Sequence, residues 1–113
     1  MIEMREMQEE MFAWLEREFP MSLTLEAQTL GVAEETGEIC QLILKKAQKI
    51  RTAGLLNELD WKLAIADGVG DVIIYLMNLC SIAEIDIEKS ITSTVSKVKQ
   101  RDWNKWRENH GTE

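Results

Sequence analysis

Within residues 31–46, GVAEETGEICQLILKK, the run Glu34-Glu35-Thr36-Gly37-Glu38 sets three carboxylates into five positions. On an α-helix, Glu35 and Glu38 are three apart and Glu34 and Glu38 four apart, so all three project over one patch. Like charges at that spacing repel, and an opposing cation or proton must offset them. A second pair, Asp67 and Asp71, is also four apart, in Asp67-Gly-Val-Gly-Asp71. Packed antiparallel, the two helices would bring these patches face to face. Gly37, Gly68 and Gly70 interrupt them, although glycine inside a helix costs about 0.5–1 kcal/mol relative to alanine. They point to the close approach of a backbone or a ligand.

The competing reading of Glu34 and Glu35 is a solvated helix face. Glu38 and Asp71 fit it less well, because each has apolar neighbours (Ile39 and Cys40; Val69, Val72 and Ile73). A buried carboxylate normally finds a partner or holds a metal. A carboxylate-only donor set selects a hard cation, Mg²⁺ or alternatively Mn²⁺. A di-iron bundle would carry Glu-x-x-His pairs, whereas the single histidine is His110.

The elements that must position these acids follow from spacing. Apolar residues recur every three or four positions almost throughout, which predicts an all-α fold. A first helix over about 2–18 carries Met4, Met7, Met11, Trp14 and Leu15, with Trp14 assigned to the core, and ends before Pro20. Ser22 or Thr24 caps a second helix, striped by Leu30, Ala33, Gly37, Cys40, Leu44 and Ala47 down to about Ile50. Arg51-Thr-Ala-Gly54 breaks it. A third helix runs from after Asn57 to about Ala83. Asp86 then caps a fourth over about 87–107, with Ile87, Ile91, Val95 and Val98 on one face. Short connections predict an antiparallel four-helix bundle, one domain over 1–113 with residues 108–113 as a flexible tail. The third helix is apolar nearly all round from Val69 to Leu79. Such a helix should be enclosed, which predicts completion by a homo-oligomer, dimer or tetramer.

Composition narrows the partners. Thirteen basic residues stand against twenty acidic, a net charge of −7, unlike the positive footprint of a nucleic-acid polymer binder. Lys45, Lys46, Lys49 and Arg51, and again Lys97, Lys99, Arg101, Lys105 and Arg107, form local basic patches suited to a small anion. No uninterrupted apolar run reaches the roughly 20 residues of a membrane span, and the acidic N-terminus does not read as a signal peptide. The expectation is a cytoplasmic protein without a membrane partner. Cys40 and Cys80 are read as reduced core thiols.

These motifs resemble the MazG-like nucleoside triphosphate pyrophosphohydrolases: Glu34-Glu35-x-x-Glu38, then Asp71-Val-Ile-Ile-Tyr-Leu, then Lys97-Val-Lys-Gln-Arg101-Asp-Trp103. The resemblance covers about Trp14 to Trp103. It implies an all-α enzyme that uses Mg²⁺ to cleave (d)NTPs between the α and β phosphates. Carried over, Glu35 and Glu38 are metal ligands, and Asp71 is the last acid of the opposing motif. Gly68 stands where the family has a Glu, and Asp67 is the nearest substitute. Val98 stands about where many members have an Asn. On this reading Glu34 or Glu35 handles the attacking water, and Lys45, Lys46, Lys97 and Arg101 hold phosphates. Trp103 and Tyr75 border the substrate. The alternative is a non-catalytic interaction module or nucleotide sensor with a degenerate metal site.

Overall fold

The computed structural model describes residues 3–48 and 58–110. Five α-helices lie in these residues: α1 (Met4–Glu18), α2 (Leu25–Gln48), α3 (Glu58–Ile82), α4 (Ile87–Gln100) and α5 (Trp103–His110). A short 3₁₀ turn, Pro20–Ser22, joins α1 to α2. Among the described residues there is no strand, so the all-α expectation holds. The end of the second helix at Ile50 and its break at Arg51–Gly54 lie outside the described residues, as do 111–113.

Local chemistry explains the boundaries. Proline fixes its own φ and pushes its predecessor out of helical geometry. Phe19 accordingly takes φ −139° and ψ 63° at the end of α1. Thr24 then caps α2, its Oγ1 accepting the Ala27 N–H at 3.0 Å. Between α3 and α4 the chain reverses through Glu84, a non-glycine residue at φ 61°, and Asp86 caps α4 by accepting the Lys89 N–H at 3.1 Å. That N–H, followed by the charge of Arg5, holds the Asp86 carboxyl below its ordinary value. Arg5 Nε sits 2.8 Å from Asp86 Oδ2.

Gln8 locks the same turn to α1. Its side chain is buried. Its Nε2 donates to the Ile85 carbonyl at 2.9 Å and to Ser81 Oγ at 3.1 Å. Its Oε1 accepts the Ile87 N–H at 3.0 Å. One amide thus satisfies backbone groups that a tight reversal would otherwise leave unpaired.

The expected fourth helix is two. Arg101 leaves helical geometry at φ −68° and ψ 140°, and Asp102 Oδ1 accepts the Lys105 N–H at 3.0 Å. An aspartate that captures a backbone N–H three residues on starts a new helix rather than continuing the old one. Residues 108–110 continue α5.

The frame of the molecule is the contact between α2 and α3. Gly31 meets Tyr75, Ile39 meets Gly68, and Lys46 meets Trp61, so the helices run antiparallel. Helix α1 packs on α3, and α4 reaches the body through α1. Within one chain this is an α2–α3 hairpin with α1 across it, and α4 does not close a four-helix bundle against α2 and α3. Leu15, Met77 and Ile87 are the buried large apolar residues among those described.

The α2 stripe of Leu30, Ala33, Gly37, Cys40, Leu44 and Ala47 does not face α3. All six are exposed, Leu30 by 69%. The face on α3 is Gln28, Gly31, Glu35, Ile39 and Leu42. Cys40 is therefore an exposed thiol rather than a core one, and burial pushes the half-buried Cys80 up.

Helix α3 is long and apolar enough, by length and composition, to cross a membrane. A window within Leu59–Ile82 reaches a mean hydropathy of 1.6, and 11% of it is buried. Counting uninterrupted apolar runs overlooked this, because Asp67 and Asp71 divide the helix. Those acids are costly in hydrocarbon unless they face a water-filled space.

At Gly31, a methyl group would overlap the Tyr75 ring. Gly31→Ala is expected to destabilise the fold by about 1–3 kcal/mol, the usual cost of overpacking, measurable by urea or thermal unfolding. A stability equal to that of the wild type would show that the α2–α3 contact is looser than this packing.

Candidate metal centre and adjoining cavity

Glu34, Glu35 and Glu38 converge as their spacing requires: one carboxylate oxygen from each lies within 4.8 Å of the others. Glu35 faces inward and is half-buried, while Glu34 and Glu38 stand exposed at the rim. Glu35 Oε2 is fully buried and has no hydrogen-bond partner. Burial above all holds the Glu35 carboxyl above its ordinary value. The adjacent Glu38 carboxyl and the charges of Asp71 and Glu34 add to the shift. Among the described residues the ion pairs are Arg5 with Asp86 and Arg17 with Glu18, and no lysine or arginine reaches this group. The patch has concentrated negative charge, an orphaned inward oxygen and, among the described residues, no cation paired with it. A small divalent ion suits that donor set.

Asp71 approaches from α3 and lines the same cavity as Glu35. Asp67, one turn earlier, is exposed and lies outside the three-carboxylate group. Gly68 explains why no acid stands between them. A Cβ there would come 2.8 Å from Ile39 Cγ1, so this position is filled by helix packing. By contrast, a Cβ at Gly37 or Gly70 would meet nothing within 4 Å. The glycine that a close approach requires on α2 is Gly31, which the acidic motif does not mark.

The cavity measures about 440 Å³ and opens beside the carboxylates. Its wall includes Trp14 and Phe19, whose ring centroids are 5.5 Å apart at 58°. Trp14 is thus a cavity residue rather than a core one. Tyr75 lines the cavity and also packs on Gly31. Burial first, and then the charges of Glu35, Glu34, Asp71 and Glu38, push its hydroxyl up.

Two buried amides of the cavity were missed by the sequence reading, Gln28 and Asn78, each only 1% exposed, as was the ring of Phe19. Each lies seven positions from an acid on the same helix, Gln28 before Glu35 and Asn78 after Asp71. Because the helices are antiparallel, the two amides sit at one level and the two acids at another, about 10 Å along the axes. A polar residue repeated at helical spacing from a carboxylate was the available signal.

The basic residues lie elsewhere. Lys45 and Lys46 stand near the C-terminal end of α2, with Lys46 Nζ 4.8 Å from the centroid of the Trp61 ring. Arg101 stacks 5.1 Å from the Trp103 ring at the α4–α5 break, and Trp103 Nε1 donates to the Val98 carbonyl at 3.0 Å. Lys97 is exposed on α4. None of Lys45, Lys46, Lys97, Arg101 and Trp103 lines the cavity within one chain.

Residues 23–106 match the family model of the MazG nucleotide pyrophosphohydrolase domain. No curated protein and no solved structure gives a significant match.

Removing one of three clustered charges relieves repulsion. Glu38→Ala is therefore expected to melt at the same or a higher temperature than the wild type in EDTA. Mg²⁺ at a hundred times its Kd should stabilise the wild type by about 2.7 kcal/mol and leave the variant nearly unmoved. A lower melting temperature of Glu38→Ala in EDTA would argue against a cation site there.

Proposed function

The chain belongs to the MazG nucleotide pyrophosphohydrolase family, and from that premise we propose that it hydrolyses (d)NTPs at the α–β phosphoanhydride to a monophosphate and pyrophosphate. The observation that carries this reading is the convergence of Glu34, Glu35 and Glu38 opposite Asp71, at the mouth of an aromatic-walled cavity. A triphosphate is itself strongly anionic, so carboxylates act on it only through a cation. Glu35, Glu38 and Asp71 would hold Mg²⁺, with Asp67 contributing from the turn before. When bound, the ion supplies charge neutralisation on the phosphates and acidifies water. Glu34, exposed at the rim, orients the attacking water and takes its proton. Trp14 and Phe19 offer ring faces to the base, and Tyr75 borders the sugar side. Clearing surplus or unwanted nucleotides from the cytoplasmic pool fits this chemistry.

We also propose that the working form is a homo-oligomer. Leu30, Leu59 and Leu63 are 69%, 64% and 56% exposed, and Ile91, Val95 and Val98 are exposed along α4. The Cα radius of gyration is 17.9 Å, against about 13 Å for a compact 100-residue domain. Apolar surface on this scale is normally covered, and a second copy covers it while bringing Lys97 and Arg101 toward a neighbour's phosphates.

Gly68 favours one other reading, a nucleotide sensor or interaction module, because α3 gives up an acid there for packing against Ile39. Incubation with a (d)NTP panel and Mg²⁺ separates the two. The enzyme reading expects monophosphate and pyrophosphate from the wild type, and at least about a hundredfold less from Glu38→Ala, the scale of an essential catalytic interaction. Binding without turnover would favour the sensor, and release of orthophosphate would refute α–β cleavage. Size-exclusion chromatography with light scattering should give a dimer or tetramer, and Ile91→Glu with Val95→Glu should shift it toward monomer. A monomeric wild type would overturn the assembly.

A further inference from the structure

The inner end of the cavity carries an unmet hydrogen-bonding demand. Gln28 Nε2 donates to the Ser22 carbonyl at 2.9 Å, which fixes the amide and turns Oε1 the other way. That oxygen is fully buried and has no hydrogen-bond partner. Asn78 Oδ1, on the opposite helix, is buried and unpartnered as well. Both residues line the cavity. A buried acceptor left unpaired is costly, and natural cores rarely leave two at one level. Replacing Asn78 by an apolar residue would remove this cost, so stability alone does not account for it.

We propose that Gln28 and Asn78 form a base-reading site selective for the amino-bearing edge shared by cytosine and adenine. This deepens the pyrophosphohydrolase reading and rests on it for the placement of the phosphates at the carboxylate end. An exocyclic amino group carries two N–H donors, one for each orphaned oxygen, and the Asn78 amide nitrogen can donate to the adjoining ring nitrogen. Uracil and thymine present a carbonyl oxygen there instead. It supplies no hydrogen and sets lone pairs against the two acceptors. Trp14 and Phe19 flank the same space and give the ring a face to stack on. The carboxylates lie about two helical turns away, roughly 10 Å along the axis. A nucleoside placed between these ends directs its phosphates to the acids and its base to the amides.

The test is isothermal titration calorimetry of the intact protein with dCMP, dAMP and dUMP, alongside turnover of dCTP, dATP and dUTP. Wild type should bind dCMP, dAMP or both at least about tenfold more tightly than dUMP, the scale of one buried group left unpaired. Comparing dCMP with dAMP tells pyrimidine from purine. Asn78→Leu should abolish the preference while melting no lower than wild type without ligand. A purely structural asparagine would lower the melting temperature and leave the preference alone. Gln28→Met, which keeps side-chain length, serves as the second variant. Binding of dUMP as tight as that of both dCMP and dAMP, no monophosphate binding, or a preference that survives both substitutions would overturn the proposal. Hydrolysis of triphosphates with no preference for dCTP or dATP over dUTP would overturn the base site and leave the pyrophosphohydrolase reading standing. Selective dCMP binding with no turnover of any triphosphate would do the reverse.

Discussion

The register between α2 and α3 is the constraint on which the site depends. It is set where the helices come closest, with Gly31 under the Tyr75 ring and Gly68 against Ile39. Neither glycine can gain a side chain without moving its neighbour. Once those contacts are fixed, Glu35 must oppose Asp71 and Gln28 must oppose Asn78. A slip of one residue would rotate each group by about 100° around its helix and disperse both levels. Packing between two glycines and their partners thus decides where chemistry can happen.

That packing imposes an electrostatic cost, and it falls on Glu35. Its inward oxygen is buried without a donor, and three other carboxylates raise its proton affinity. Among the described residues, Lys46 is held over the Trp61 ring and the other lysines face solvent. Among the described residues no lysine or arginine pairs with Glu35, which leaves the carboxylate group with uncompensated negative charge. The same reasoning applies in weaker form to the orphaned amides, which lack donors rather than charge. One cavity therefore has a carboxylate-rich mouth and a donor-seeking interior, and the nucleotide and metal proposed above would answer both.

The rest of the fold holds this hairpin and leaves much of it uncovered. Gln8 and Asp86 secure the α3–α4 turn to α1, but α4 packs on α1, and neither α4 nor α5 closes over α2 or α3. Apolar residues that would be core in a larger domain remain at the surface. The outer stripe of α2 is the clearest case, since it is as regular as any buried face and yet is exposed.

The carboxylate patch was legible in the sequence because helical spacing alone puts Glu34, Glu35 and Glu38 together. The Asp86 cap was legible because a cap is a local hydrogen bond between near neighbours. Neither needs a partner element. The sequence could not say which of two apolar faces of α2 meets α3, since periodicity marks an apolar face without naming what covers it. It likewise placed Trp14 in the core, and it carried the fourth helix past Asp102, where capping ends it. The amides were the least visible. A glutamine and an asparagine reveal a role only when opposing helices bury them together, and that burial is decided by tertiary register. Spacing along one chain determined the acids; contact between two helices decided the cavity they serve.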